Sequence, residues 1–342
     1  MNYRLLGKSG LRISELCLGT MTFGTEWGFG TEKKDSKKVF DAFVNAGGNF
    51  LDCANLYNEG TSEKYTGEFI SHQRDYYVLA TKYTLKNPGS PGNLNASGNS
   101  RKSMMNSVED SLKRLNTDYI DLLWLHAWDY LTPIDEVMRG FDDLVSSGKV
   151  LYIGISDTPA WVVSSANTMA DIRGWAKVVA LQIEYSLFQR GAERDLIPMA
   201  NHFELAVTPW GTLGGGALSG KYLTNDDKSP KRIKEGSARL NERNTNIAKE
   251  VKKISNETGI PGTVIALNWV RQKKGLFIPI VGSRTDTQLI ENMKCLDVKL
   301  SEDIIQKLDE VSSIEYGFPH DFLLSAPMTI NGYSGMKDRI IK

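Results

Sequence analysis

Tyr119–His126, YIDLLWLH, is apolar almost throughout and ends in a histidine. A strand with one face in water alternates apolar and polar residues. A run this continuous is expected where both faces of a parallel sheet are covered. Seven further runs share its character: Glu15–Gly19 (ELCLG), Asn49–Asp52 (NFLD), Tyr77–Lys82 (YVLATK), Tyr152–Ser156 (YIGIS), Val178–Ile183 (VVALQI), Leu205–Trp210 (LAVTPW) and Phe277–Val281 (FIPIV). Stretches of helical periodicity separate them. Asp35–Ala46 sets Val39, Phe40, Phe43 and Val44 on one stripe and stops at Gly47-Gly48. Ser62–Ile70, Arg101–Leu115, Ile134–Val145, Ala160–Met169, Ala192–Phe203, Thr245–Thr258 and Gly262–Lys273 follow. Alternation repeated about eight times predicts an α/β protein, a single (β/α)8 TIM barrel spanning residues 1–342. A doubly wound sheet fits the same alternation. Tyr3–Leu5 and Leu11–Ile13, either side of Gly7-Lys8-Ser9-Gly10, read as an N-terminal β-hairpin capping the barrel floor. Leu223–Asn244 reads as a polar excursion after the seventh strand, and extra helices or loop are expected at the C-terminus.

Composition narrows the function. A hydrophobic fraction of 41% over 342 residues is enough for a substantial core, which excludes a disordered chain. Lys plus Arg and Asp plus Glu both number 41, so no global field draws the chain to nucleic acid or an anionic membrane. The N-terminus, MNYRLLGKSGLRIS, has no apolar signal region, and no uncharged apolar run approaches a membrane span. A cytoplasmic protein is expected. Cys17, Cys53 and Cys295 are far apart, and His72, His126, His202 and His320 have no metal-binding spacing, so no metal is expected. Gly215–Lys221, GGALSGK, matches a phosphate loop until Tyr222 stands where Ser or Thr would hold magnesium. No GxGxxG follows a strand.

Catalytic residues of such barrels sit at the C-terminal ends of strands. Asp52, Lys82 and His126 end three consecutive runs, and Tyr57 lies five residues beyond Asp52. Each alone is ordinary: a cap, a solvated charge, a hydrogen-bonded histidine, a packed ring. Together they place a carboxylate, an ammonium, an imidazole and a phenol at one mouth.

The same residues carry a resemblance. LCLGTMTFG (Leu16–Gly24), NFLDCANLYNEGTSE (Asn49–Glu63), ATK (Ala80–Lys82), DLLWLH (Asp121–His126), GKVLYIGIS (Gly148–Ser156), QIEYSLFQR (Gln182–Arg190), TPWGTLGGGALSGKY (Thr208–Tyr222) and IVGSRTDTQLIEN (Ile280–Asn292) together resemble the aldo-keto reductase family over essentially the whole chain. The nearest branches in character are the aryl-alcohol-dehydrogenase-like and potassium channel β-subunit-like ones. The resemblance implies hydride transfer from NADPH to an aldehyde or ketone, with Tyr57 as general acid. Lys82 and Asp52 would tune that phenol, the ammonium drawing its pKa down, and His126 would orient the carbonyl. NADP(H) is the implied cofactor. Ser156, Asp157 and Gln182 would hold the nicotinamide carboxamide and Trp210 would stack on the ring. Gly211, Thr212, Leu213 and Gly215 would follow the pyrophosphate, with Lys221 as a phosphate clamp. Gly282, Ser283 and Arg284, leading into a helix with Gln288, Glu291 and Asn292, would take the 2′-phosphate. Gly19, Thr20 and Met21 would lie beside the nicotinamide ribose. Phe23, Trp27, Trp128 and Tyr130 are expected to line the substrate pocket, and Tyr316–Met328 to reach it. Three positions depart from the family pattern: Cys53 for the usual Thr, Asn58 for Gly and Asp157 for Asn. An NADPH-binding regulator with little turnover is the competing reading.

Overall fold

Eight short strands run parallel, each hydrogen-bonded to the next, because their residues are buried on both faces. The computed structural model describes residues 1–223, 233–234 and 236–341. A two-stranded antiparallel hairpin, β1 (Tyr3–Leu5) and β2 (Arg12–Ser14), comes first. The eight barrel strands are β3 (Cys17–Gly19), β4 (Phe50–Asp52), β5 (Val78–Tyr83), β6 (Ile120–Leu125), β7 (Val150–Ser156), β8 (Val178–Glu184), β9 (Ala206–Trp210) and β10 (Ile280–Val281). They pair in the order β10-β3-β4-β5-β6-β7-β8-β9. The eighth predicted strand is split, because Pro279 has no N–H to give a ladder. Ahead of it, Phe277 bridges Val207 of β9, with Ile278 N–H donating to Val207 O at 2.8 Å. Behind it, Ile280 and Val281 pair with Cys17 and Leu18 of β3, which closes the ring.

Helices α1 (Lys33–Asn45), α2 (Thr61–Ile70), α3 (Arg101–Leu115), α4 (Ile134–Ser146), α5 (Ala160–Arg173) and α6 (Leu196–His202) cover the first six strands. α7 (Glu242–Thr258) and α8 (Gly262–Arg271) lie between β9 and β10, and α9 (Asp286–Met293) follows β10. The amphipathic pattern sets which face each buries: Val137, Met138, Phe141 and Leu144 of α4 all turn inward, at helical spacing. α3 starts where Ser100 accepts from the Ser103 N–H and stops at Asn116 in the left-handed conformation. Of the polar excursion after β9, residues 224–232 and 235 lie outside the described residues.

The bore is solid. Cys17, Phe50, Ala80, Leu122, Trp124, Ala180, Ala206 and Ile278 fill it, and Leu6 and Ile13 from the hairpin plug its floor. Gly154 is required here, since a Cβ on it would lie 2.3 Å from the Trp124 indole. At the C-terminal side, α10 (Glu302–Val311) is pinned by Arg190, whose Nη1 donates to Asp309 O at 2.8 Å and Ser312 Oγ at 2.9 Å. The short helices α11 (His320–Leu324) and α12 (Ala326–Gly332) follow, ahead of a last helical turn at Lys337–Arg339. They are anchored through Tyr316 on Glu193 and His320 on Asp195, with Phe322, Leu323 and Leu324 exposed.

Candidate active site

The C-terminal ends of the strands form one mouth, and the parallel register sets adjacent strand ends at one level. Asp52 ends β4, Lys82 stands in β5, and His126 follows β6 directly. Lys82 is fully buried and Asp52 nearly so. An ammonium out of water needs every donor satisfied. Lys82 Nζ meets that demand, donating to Asp52 Oδ2 at 2.5 Å, Cys53 O at 2.7 Å and Tyr57 OH at 3.1 Å. The other carboxylate oxygen, Asp52 Oδ1, accepts from Gln182 Nε2 at 3.0 Å, a contact that crosses the barrel from β8.

The tuning of the phenol differs from the expectation. Burial pushes Tyr57 up to about 12; Lys82 pulls the other way and Asp52 adds to the rise. The Lys82 charge therefore offsets burial without bringing the phenol below its ordinary value. Tyr57 keeps its proton at neutral pH. Burial works to lower the Lys82 ammonium, but the Asp52 carboxylate and the bonds to Asp52 and Tyr57 hold it above its usual value. Burial first, and the Lys82 charge second, drive His126 well below the usual imidazole range, so it is neutral. Its Nδ1 is buried with no protein partner.

The residues expected on the cofactor side differ in how they are held. Ser156 Oγ and Ser283 Oγ are buried and without a protein partner, as expected of hydroxyls that await a ligand. Asp157 and Trp210 are joined instead: the Trp210 Nε1–H donates to Asp157 Oδ1 at 3.1 Å. Asp157 keeps an edge in solvent, yet desolvation by the protein packed around its carboxyl pushes it up to about 6, against the pull of the Trp210 bond and the Lys82 charge. Thr20 is committed elsewhere, its hydroxyl bonded to Asp52 O at 3.0 Å and Ser62 Oγ at 2.8 Å, so it braces β4. Gly19 ends β3, Met21 follows half-buried, and Thr22 holds Ser283 O at 2.9 Å. After β9, Gly211, Gly214, Gly215 and Gly216 all have positive φ, and Lys221 folds back so that its Nζ lies near Gly216. Thr212 is buried and Leu213 packs into the core. Gly282 is open, with only Gly19 O, at 3.6 Å, near where a Cβ would stand. Gln288 Oε1 accepts from the Arg284 N–H at 3.2 Å across the start of α9. Asn292 is buried and Glu291 exposed. These orphaned hydroxyls and the glycine-lined loop fit a phosphorylated dinucleotide.

The aromatic residues divide. Trp27 packs edge-on against Tyr57 with centroids 6.0 Å apart, and His126 does the same from another side, also at 6.0 Å. Trp128 is half-buried beside the core, and Tyr130 is 72% exposed. Phe23 is placed otherwise than expected: it is fully buried, edge-on against Phe69 in the layer under α1 and α2, and does not line the mouth. Two contributors were not anticipated. Asn58, next to Tyr57, is fully buried and bonded to the loop after β3. Arg239, from the excursion, pairs with Glu184 at 2.8 Å and lines a cavity of about 290 Å³ with Gly215, Ile233, Lys234 and Ser237. A wider depression of about 1000 Å³ between α8 and α10 lies away from the strand ends.

A (β/α)8 barrel with a buried carboxylate–ammonium–phenol chain beside a neutral imidazole defines a barrel enzyme built for proton transfer at a dinucleotide site. Residues 15–313 match the model of the aldo/keto reductase family, and the chain belongs to that family. It is 41% identical to an aryl-alcohol dehydrogenase [NADP(+)] of Phanerodontia chrysosporium over 334 residues, covering 91% of this chain and 86% of that one. It is 38% identical to a norsolorinic acid reductase of Aspergillus flavus, covering 95% and 84% of the two chains. A putative aryl-alcohol dehydrogenase of Saccharomyces cerevisiae is 38% identical, over 95% of this chain and 90% of that one.

Proposed function

We propose that this mouth reduces an aryl aldehyde or ketone, with Tyr57 as proton donor, Lys82 and Asp52 as the pair that stabilises the phenolate left behind, and His126 as the donor that orients the carbonyl. The reaction class comes with the family: the chain is an NADP-dependent oxidoreductase of carbonyl compounds. When bound, NADPH supplies the hydride. The observation that carries the residue roles is the Lys82 Nζ–Tyr57 OH contact of 3.1 Å, made by an ammonium that is fully buried. A phenol raised to about 12 still protonates the alkoxide that forms, because an alkoxide is the stronger base. The Lys82 ammonium then donates to the new phenolate. Neutral His126 offers one N–H and no charge, which suits an orienting donor.

On the cofactor side, Ser156 and Gln182 would hold the carboxamide, Trp210 would stack beneath the ring, and Lys221 and the glycine loop would follow the pyrophosphate. Ser283 and Arg284 would take the 2′-phosphate. Trp27 and Trp128 support an aromatic substrate, in keeping with the names of the relatives. The regulator reading has no observation in its favour. No helix among the described residues is long and apolar enough to cross a membrane, and Cys17, Cys53 and Cys295 are free and buried, which supports the reading of a cytosolic protein. The experiment is a panel of aldehydes and ketones run with NADPH and NADH side by side, with Tyr57→Phe as control. The wild type should oxidise NADPH with aryl carbonyls. Tyr57→Phe should lose about 10²–10⁴ in kcat with NADPH binding kept; normal turnover would remove Tyr57 from the mechanism.

A further inference from the structure

We propose that Asn58 is a positioning residue that sets substrate preference: by tying the loop after β3 to the turn that bears Tyr57, it fixes Trp27 as one wall of a flat aromatic slot against the reacting phenol. The proposal rests on the reading of Tyr57 as proton donor. Asn58 sits in the left-handed region at φ 46°, immediately after Tyr57, and its side chain is wholly out of solvent. A buried amide must use its donors and its acceptor. Asn58 Nδ2 donates to Met21 O at 2.9 Å and to Phe23 O at 3.1 Å, while Oδ1 accepts from the Trp27 N–H at 3.1 Å. The partners, two carbonyls and one N–H, fix which way the amide faces.

All three bonds cross from one loop to the other. The same two segments meet a second time where Thr61 Oγ1 donates to Glu26 Oε1 at 2.5 Å. They are also in close contact, since a Cβ on Gly24 would stand 2.7 Å from Asn58 Cβ. The main chain that carries Trp27 is therefore tied to Asn58, and Asn58 is covalently next to Tyr57. Trp27 and His126 both meet the Tyr57 ring edge-on, at 78° and 82°. Such walls favour a planar ring that offers its face to an edge. A small aliphatic carbonyl gains little from them. An Asn here keeps the left-handed backbone that Gly would also permit, and adds the tie that Gly lacks.

Asn58→Gly isolates the side chain, because glycine accepts this φ without strain. NADPH affinity should stay within about twofold. kcat/KM should fall about 30-fold for benzaldehyde but only about threefold for propanal, a loosened wall and misplaced phenol costing most where the ring contacts count. Trp27 should also become more open to acrylamide, read as the difference between proteins with Trp27 and with Trp27→Phe. In a Trp27→Ala background the same Asn58→Gly change should shift the benzaldehyde-to-propanal ratio no further. Parallel losses for both aldehydes, additive effects in the double variant, or unchanged quenching would each overturn the proposal. Should Asn58→Gly not fold, Gly24→Ala strains the same junction from the other side and should reproduce the shift in ratio; an unchanged ratio there overturns it too. A wild type that reduces neither aldehyde would defeat the Tyr57 assignment, while the quenching comparison would still decide the Asn58 tie.

Discussion

Where β4 and β5 reach the mouth, the Asp52–Lys82 pair is complete: three acceptors surround the ammonium, and Gln182 meets the second carboxylate oxygen. Where β7 and β10 reach it, the hydroxyls of Ser156 and Ser283 are buried with no protein partner. The first region is built from strand ends and finished by folding. The second is built largely from loops and glycines, and a ligand would finish it. The proposed proton-transfer groups and the proposed cofactor cradle thus share one rim. Changes in the first region should cost stability as well as rate; changes in the second should cost affinity far more than stability.

The strongest way to break this contrast is Lys82→Met. It strands the Asp52 carboxylate in a dry site, so urea unfolding should show a loss of about 3–5 kcal/mol along with loss of turnover. A variant as stable as the wild type would mean that water already reaches the pair. Next in size is Arg284→Ala, which should weaken NADPH about 10–100-fold and NADH little. Equal weakening of both cofactors, in a fluorescence titration, would contradict the 2′-phosphate assignment. Ser283→Ala should reduce NADPH affinity about fivefold and leave stability intact, since the hydroxyl has no partner to lose. A marked drop in stability there would erase the distinction between the regions.

The smallest effect is a matter of pH. Burial holds the folded Asp157 carboxyl at about 6, above its ordinary value. A raised carboxyl contributes stability in its protonated form. That contribution is complete below the unfolded value and is lost as pH rises through about 6. Wild type should therefore lose stability relative to Asp157→Asn between pH 4 and 6, and run parallel to it above about 7. A parallel course throughout would show that the Trp210 bond and solvent together offset the desolvation.

Much of this was legible in the sequence, for a reason visible in particular elements. Strands such as Ile120–Leu125 and Val178–Glu184 are buried on both faces, so their runs stand out, and the residues that end them fall at one rim. Other features depend on contacts between segments distant in sequence. FIPIV reads as one strand, and only the ring closure shows Pro279 dividing it between two neighbours. Phe23 and Trp27 look equivalent in a loop, but one turns under α1 and α2 and the other turns to Tyr57. The raised Tyr57 value comes from burial, which the ammonium alone does not predict. Asn58 left one sign, an amide at a position where a family resemblance favours glycine.

The filled bore has a consequence for traffic. With the Trp124 indole lodged against Gly154 and the hairpin sealing the far end, Lys82 and Tyr57 have no back entrance. On the proposed roles, dinucleotide, carbonyl compound and the proton that returns to the phenol would all use the one doorway at the strand ends.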